Sequence, residues 1–384
     1  MSNHTKSAKP AKPHPDYPLF PHGNGQWAKK VRGKLCFFGV WRDADAALSL
    51  WNKQKDYLLE GRRPPANLDG ATVRDLANRF LSAKQRLVDT GELTHRSFVD
   101  YFATCGAVLS FVGKSRLLDD IQPEDFEKLR EHLAKGRGPV SLGNNIQRVR
   151  SLFKYAFENR LVDRPMLFGS EFKKPSRKAI RQQRAKRGVM MFEAHEIQRM
   201  LKTASPHLEA MILLGVNAGL GNSDIGNLPL SALDLTTGWL TFPRPKTGIE
   251  RRVPLWAETV SAIRESLEHR PEPKVAEVKE LVFVTKRGQS WFRVKPGNPL
   301  SQEFKKLLDE LGLYRPGRNF YALRHVAETI GGEPRDQVAV NAIMGHVDST
   351  MAGHYRERIS DERLRAVTDH VREWLFGKST KKAK

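Results

Sequence analysis

The sequence is poor in cysteine and has no long apolar run. Only Cys36 and Cys105 occur among its 384 residues, and no CxxC pair suggests a zinc site. Two cysteines do not make a disulfide framework, so we expect two reduced thiols. The chain has no stretch of about 18 apolar residues, and its polar N-terminus lacks the apolar core of a signal peptide. We therefore expect a cytoplasmic protein without a membrane span.

Two further absences exclude classes of enzyme. The chain has no GxxxxGK[ST] loop, which argues against a P-loop ATPase. Its acidic residues are scattered, whereas metal-dependent nucleases and transposases need clustered carboxylates that hold two divalent ions. Only 43 Asp and Glu stand against 65 Lys and Arg, so the net charge is +22 at pH 7. Such a charge attracts polyanions, most commonly nucleic acid, without conferring sequence specificity.

Composition and periodicity divide the chain into segments. Hydrophobic residues make up 39% of it, which is enough for two or three domains with real cores. Together the patterns predict a mostly α chain with small β elements, an α+β fold. The predicted segments are a flexible basic tail at 1–16, a small β-sheet with one helix at 17–62, a helical domain at 69–172, a basic linker at 173–188, a mixed domain at 189–376 and a basic tail at 377–384.

Two basic segments are candidates for DNA contacts. The hairpin predicted around Gly33-Lys34 either lies in a DNA groove or only packs, with its lysines solvated. Residues 173–187 hold eight basic and no acidic side chains, which resist packing. This linker either gains order along a phosphate backbone or is a disordered tether. The candidate side chains are Lys29, Lys30, Arg32, Lys34, Lys173, Lys174, Arg177 and Lys178.

Four local patterns in the last half of the chain carry candidate chemistry. They are the turn at 217–228 (Asn-Ala-Gly-Leu-Gly-Asn-Ser-Asp-Ile-Gly-Asn-Leu), the segment 244–255 around Lys246, the run 321–325 (Tyr-Ala-Leu-Arg-His), and Met344-Gly345-His346 followed nine residues later by Tyr355. In this order and spacing they resemble the boxes of the tyrosine recombinase, or phage integrase, family. The resemblance covers about residues 190–375. Residues 69–165 resemble the family's SAM-like core-binding domain, and 17–62 resemble its arm-type module.

The resemblance implies a role for each side chain in these patterns. Tyr355 attacks a DNA phosphorus and forms a 3′-phosphotyrosyl link, with no metal, cofactor or ATP. Arg324 clamps the non-bridging oxygens, which suits a planar guanidinium, and Lys246 protonates the leaving 5′ oxygen. His346 hydrogen-bonds the phosphate or assists proton transfer. His325 braces the second box.

Two positions depart from the family's pattern. An arginine normally stands where this chain has Gly221, and a histidine commonly stands where it has Tyr321. A phenol still donates a hydrogen bond, but losing an arginine typically costs about 10²–10³ in rate. Either the protein binds DNA and cuts slowly or never, or another arginine enters the vacated space. Arg318 is our first candidate for that arginine, and Arg244 is the second.

Further expectations concern the surroundings of these residues. Asp224 is either a cap or a brace for a box arginine, and Gly219 with Gly221 form either a helix end or tight turn, or part of the site. The strand predictions in this half are 239–242 and 281–284. The last helix, 363–376, either docks on a neighbour or packs within its own domain. The resemblance also implies double-stranded DNA with specific sites, a homo-tetramer on paired sites and an accessory DNA-bending protein.

Overall fold

The protein divides into two compact units, Met1–Lys186 and Arg187–Lys384. The structure, a computed structural model, describes residues 9–61, 64, 70–293 and 297–377. Some of the predicted segments lie outside the described residues. These are residues 1–8 of the N-terminal tail, residues 378–384 of the C-terminal tail, and the segment edges at 62 and 69. Helices dominate the described part and are accompanied by two small antiparallel sheets, which confirms the mostly α, α+β fold class. The remaining segment boundaries stay predictions.

The first unit begins with a three-stranded antiparallel sheet and one helix that share a small core. Arg32 (φ 49°) and Gly33 (φ 83°) both adopt left-handed backbone conformations, as the tight turn of a two-residue hairpin requires. Trp27, Phe38 and Trp51 fill the core between sheet and helix. The elements are β1 (Phe20–His22), β2 (Gln26–Val31), β3 (Lys34–Val40) and α1 (Ala44–Leu59).

A run of amphipathic helices forms a second core in the same unit. Thr72 and Asp75 make a capping box at the first helix, and Pro123 opens the third, where no backbone N–H is needed. Phe80, Phe126 and Phe153 are buried between the helices. The elements are α2 (Val73–Asp89), α3 (His95–Val112), α4 (Pro123–Ala134) and α5 (Pro139–Glu158).

The predicted basic linker contains a helix, α6 (Arg177–Arg187), which the sequence analysis does not anticipate. Arginine, lysine, glutamine and alanine all have high helix propensity, and they make up most of this segment. None of these described residues is buried, so the expected resistance to packing agrees with the structure. The helix therefore presents its basic side chains to solvent.

The second unit is a helical domain with a small sheet. Helix α8 is buried along most of its length and forms the centre of the core. No described helix of the chain is long and apolar enough to cross a membrane. The elements are α7 (Ala194–Thr203), α8 (Pro206–Asn217), α9 (Asn222–Gly226), β4 (Leu233–Asp234), β5 (Trp239–Thr241), β6 (Arg252–Pro254), α10 (Ala257–Glu268), α11 (Pro299–Glu310), α12 (Tyr321–Gly331), α13 (Gln337–Met344), α14 (Met351–Tyr355) and α15 (Asp361–Phe376).

The two strand predictions in this unit have different outcomes. The prediction at 239–242 is confirmed, because β5 pairs with both β4 and β6. The prediction at 281–284 is wrong, because Leu281 and Val284 make only isolated bridges. Leu281 faces Pro229, which has no N–H with which to extend a ladder.

The apolar stripe of α15 packs within its own domain. Leu364, Val367, Val371 and Leu375 are all buried in the core of the second unit. The alternative that this stripe docks on a neighbouring molecule is therefore wrong, since burying these side chains at home leaves no apolar stripe for a partner.

Candidate active site

A cavity of about 280 Å³ lies where three of the four sequence patterns meet. The side chains of Arg244, Lys246 and Arg324 bring three positive charges to its wall. Tyr321 adds a phenol to the lining, and this residue is 42% exposed. The rest of the lining comes from the first-box turn at 221–224 and from Phe292. The arrangement suits a small anion such as a phosphate.

Arg324 is held rigidly although it is charged and only 3% exposed. Its Nη1 donates to the carbonyl of Gly219 (2.5 Å), and its Nη2 donates to the carbonyl of Met344 (2.6 Å). Burial lowers the pKa of Arg324, and the nearby charge of Arg244 lowers it further. The first-box turn and the end of α13 therefore fix the guanidinium at the cavity wall.

Backbone geometry explains Gly219 of the first box and does not explain Gly221. Gly219 has φ +61°, and a Cβ there would lie 2.5 Å from the Sδ of Met344, so only glycine fits. Gly221 has φ −92°, which any residue adopts. A Cβ at position 221 would lie 3.2–3.3 Å from the ring of Tyr321, a tight approach. The tight-turn explanation thus holds for Gly219, while Gly221 is a position where the Tyr321 ring fills the adjoining space.

Asp224 acts both as a cap and as a brace, but it braces an arginine that the sequence analysis misses. Its Oδ2 accepts the backbone N–H of Gly221 (3.2 Å) and Nη1 of Arg251 (3.2 Å). Arg251 is 1% exposed and also donates from Nε to the carbonyl of Phe242 (3.0 Å). Burial lowers the pKa of Arg251, and Asp224 opposes that effect. The buried pair ties the first box to the strand after the Lys246 loop.

The loop between β5 and β6 carries Arg244 and Lys246 to the cavity. Nη1 of Arg244 (3.2 Å) and Oγ1 of Thr247 (3.1 Å) both donate to the carbonyl of Gly345. Gly345 adopts φ +60° and caps α13 immediately before His346. The loop and the final box are therefore fastened to each other at one carbonyl group.

His346 lies beside Arg324, between two groups of opposite charge. Its Nε2 is 3.1 Å from Nη2 of Arg324, and its Nδ1 is 3.7 Å from Oε2 of Glu328. Burial lowers the pKa of His346; Glu328 raises it, and Arg324 and Arg244 lower it. Within the second box, the ring of His325 lies edge-on to the ring of Tyr321, with 5.5 Å between the ring centres. The bracing role of His325 stays a prediction.

Tyr355, the predicted nucleophile, does not line the cavity. It ends the short helix α14 and is 80% exposed. Asp348 fastens this segment at both ends, since it accepts hydrogen bonds from Thr350 (2.6 Å) and from Arg356 (2.8 Å). These hydrogen bonds lower the pKa of Asp348 to about 2, so the carboxylate stays charged.

Arg318, our first candidate for the missing arginine, lies away from the cavity. It is 2% exposed, forms a bidentate ion pair with Glu196 and lies 4.0 Å from the ring centre of Phe192. A guanidinium whose charge is neutralised in the core cannot bind a phosphate, so this expectation is wrong. Arg244, the second candidate, lines the cavity.

The basic candidates of the first unit and linker differ in orientation. Lys30, Arg32 and Lys34 are exposed around the hairpin turn. Lys29 instead faces the core, where its Nζ donates to the carbonyl of Pro18 (3.1 Å) and lies 4.9 Å from the ring centre of Trp51. Lys29 is therefore a packing residue, because its ammonium group is already engaged. In the linker, Lys173, Lys174, Arg177 and Lys178 are all exposed.

Among the described residues, no group of three or more His, Cys, Asp or Glu side chains could hold a metal ion. The two thiols are both free, and burial raises the pKa of Cys105 to about 12. Neither cysteine has a role at the cavity.

The part of the chain that bears the cavity matches a known protein family in sequence. Residues 190–362 match the sequence profile described as the phage integrase family. No curated protein matches the chain significantly in sequence.

The fold is similar to solved integrase structures across most of the chain. A lambda integrase tetramer bound to a Holliday junction is 17% identical, with a TM-score of 0.57, covering 91% of this chain and 98% of that one. A lambda integrase dimer bound to a COC′ core site is 16% identical, with a TM-score of 0.55 and coverages of 92% and 98%. A Tn1549 transposon integrase fragment in complex with circular intermediate DNA is 15% identical, with a TM-score of 0.54 and coverages of 77% and 99%.

Proposed function

We propose that this chain, whose residues 190–362 form a domain of the phage integrase family, is a site-specific DNA recombinase that cuts and rejoins strands through Tyr355. The observation that carries the proposal is the convergence of Arg244, Lys246 and Arg324 on one cavity. Phosphoryl transfer depends mainly on positioning and on stabilising the charge of the phosphate oxygens. Two arginines held by hydrogen bonds, Arg244 and Arg324, and the exposed Lys246 supply both at the cavity.

In the proposed reaction, the phenol oxygen of Tyr355 attacks the phosphorus of a scissile phosphodiester. The O–P bond to tyrosine forms as the bond to the 5′ oxygen breaks, and the phenol proton leaves to a base or to water. Lys246 donates a proton to the leaving 5′ oxygen, while Arg324 binds the non-bridging oxygens. Attack by a 5′ hydroxyl on the 3′-phosphotyrosyl link reverses these steps and rejoins DNA, so neither metal nor ATP is consumed.

Arg244 is the residue that we assign to the place left by Gly221. Only Nη1 of its guanidinium bonds to a described residue, the carbonyl of Gly345, which leaves further N–H groups for a phosphate in the cavity. The Tyr321 phenol, beside Gly221, is able to donate an additional hydrogen bond. Together these two side chains supply a charge and oriented donors from a different part of the fold.

Tyr355 must move, or meet the phosphate from outside the cavity, for cleavage to occur. The phenol is exposed on a helix of only five residues, and the Asp348 hydrogen bonds hold that segment in place. Either release of this segment on DNA or attack from outside the cavity is therefore part of the proposal.

The second candidate function is DNA binding with weak or no cleavage. Two observations favour it: glycine replaces the first-box arginine, and the nucleophile lies outside the cavity. Both candidates share the remaining proposals. In these, residues 17–62 are an arm-type DNA-binding module, 69–172 are a core-binding domain, and the chain acts as a homo-tetramer on paired sites. An accessory DNA-bending protein completes the proposed partners.

The deciding experiment looks for DNA that is covalently attached to the protein. Wild type, Tyr355→Phe and the matched control Tyr314→Phe are incubated with sheared DNA of the source organism, denatured, and washed. Tyr314 is an exposed tyrosine that does not line the cavity. Any DNA that remains attached is sequenced.

We expect attached reads at discrete sites from wild type and Tyr314→Phe, and none from Tyr355→Phe. Binding in all three samples without any attached DNA would favour the non-cutting candidate. Attachment that persists in Tyr355→Phe would show that another residue is the nucleophile.

A further inference from the structure

Glu328 lies on α12 beside His346, which adjoins the cavity through Arg324, and none of the sequence patterns gives Glu328 a role. It lies one helical turn after Arg324, so both side chains reach His346 from the same helix face. Its Oε1 accepts from Nε2 of Gln337 (3.4 Å), which also donates to Oδ1 of Asn341 (3.0 Å). Its Oε2 is buried without a hydrogen-bond partner among the described residues. That unpartnered oxygen is the atom that lies 3.7 Å from Nδ1 of His346.

The contact with Arg324 determines which nitrogen of a neutral His346 carries the proton. A guanidinium only donates hydrogen bonds, so the Nε2 that lies 3.1 Å from it must accept. A neutral imidazole then carries its single proton on Nδ1, which faces the free oxygen of Glu328. In this state His346 has no N–H to offer to a phosphate.

We infer that Glu328 positions His346 and allows its ring to carry a second proton when a phosphate occupies the cavity, so that Nε2–H donates to a phosphate oxygen while Nδ1–H donates to Glu328. The inference rests on the proposed function. The second proton comes from solvent water. Glu328 is a positioning residue, because it acts on the phosphate only through His346.

The charges around His346 set the balance between its two states. Burial, Arg324 and Arg244 disfavour the imidazolium, and Glu328 favours it. A bound phosphate brings negative charge that offsets the two arginines. In the complex, Glu328 then keeps the pKa of His346 higher than it would be without the carboxylate.

The direction of the pH dependence follows from these charges. The doubly protonated ring is present below its pKa and is lost as the pH rises through it. Removing the Glu328 charge lowers this pKa, so cleavage declines at a lower pH. We expect a displacement of about one pH unit, because the two side chains are each about one third exposed and solvent screens the pair.

The experiment measures the rate of covalent adduct formation against pH for wild type, Glu328→Gln and Glu328→Asp. The matched control is Glu333→Gln, which breaks the exposed pair of Glu333 with His370 (2.7 Å). We expect the alkaline midpoint of Glu328→Gln to lie about one unit below that of wild type. The variant should be about tenfold slower above the wild-type midpoint and equal to wild type well below both. Glu328→Asp should lie between, and Glu333→Gln should match wild type.

Equal slowing of Glu328→Gln at every pH, with an unchanged midpoint, would overturn the inference and leave only a packing role for Glu328. The imidazole titration of His346, followed by NMR and assigned with His346→Gln, is independent of cleavage. A lower pKa of His346 in Glu328→Gln supports the inference even if wild type forms no adduct, an outcome that would contradict only the proposed function. An unchanged pKa overturns the inference.

Discussion

Replacing Arg244 tests whether a side chain of the β5–β6 loop has taken over the task of the absent first-box arginine. Arg244→Ala removes both a positive charge at the cavity and the hydrogen bond to Gly345. Loss of an oriented cationic donor at a transition state typically costs about 10²–10³ in rate. The hydrogen bond to Gly345 accounts for about 0.5–1.5 kcal/mol, which is roughly 2-fold to 13-fold in rate.

Thr247→Val separates these two contributions. Thr247 donates to the same carbonyl of Gly345 at 3.1 Å but carries no charge. We expect this variant to lose less than tenfold in the rate of adduct formation, whereas Arg244→Ala loses about 100-fold or more. Arg244→Lys should fall between, because lysine retains the charge without the planar fork of donors.

The assay is single-turnover formation of the protein–DNA adduct with saturating DNA, so that binding does not limit the rate. Equal losses in Thr247→Val and Arg244→Ala would refute the reasoning, because they would mean that Arg244 only fastens the loop. A fully active Arg244→Ala would do the same, and the site would then work with Arg324 and Lys246 alone.

Two further predictions each compare a buried or inward-facing basic residue with an exposed one. Arg318→Met leaves Glu196 buried without its partner and should lower the free energy of unfolding by about 3–5 kcal/mol in chemical denaturation. The exposed control Arg315→Met should change it little, and unchanged stability of Arg318→Met would contradict the structural role. Lys30→Gln should reduce the slope of log affinity against log salt for duplex DNA by about 1, while the inward-facing Lys29→Gln should leave that slope unchanged. Equal slopes for Lys30→Gln and wild type would remove the hairpin surface from the DNA contacts.

The sequence predicts which residues line the cavity better than it predicts their hydrogen-bond and ion-pair partners. Arg324, Lys246, Tyr321 and Gly221 are all identified from short patterns, and all lie at one cavity. The reason is that each pattern contains its own turn or helix start, which local chemistry specifies. The helical periodicity of the core is local in the same sense.

The errors arise where a side chain has a partner far along the chain. Arg318 is close in sequence to Tyr321, but its partner Glu196 lies on another helix, and only tertiary structure brings them together. Arg251 is missed for the same reason, because Asp224 precedes it by 27 residues. Glu328 could have been found only with a helix predicted through the run 321–325, since it follows Arg324 by four residues and then shares its face.

The close approach of Gly221 to the Tyr321 ring predicts that the two departures from the family's pattern depend on each other. The first atoms of any longer side chain at position 221 meet the ring that occupies position 321. Restoring arginine at 221 alone would therefore crowd the tyrosine, and replacing the tyrosine alone would leave a gap over the glycine. We therefore expect Gly221→Arg to restore cleavage better together with Tyr321→His than alone.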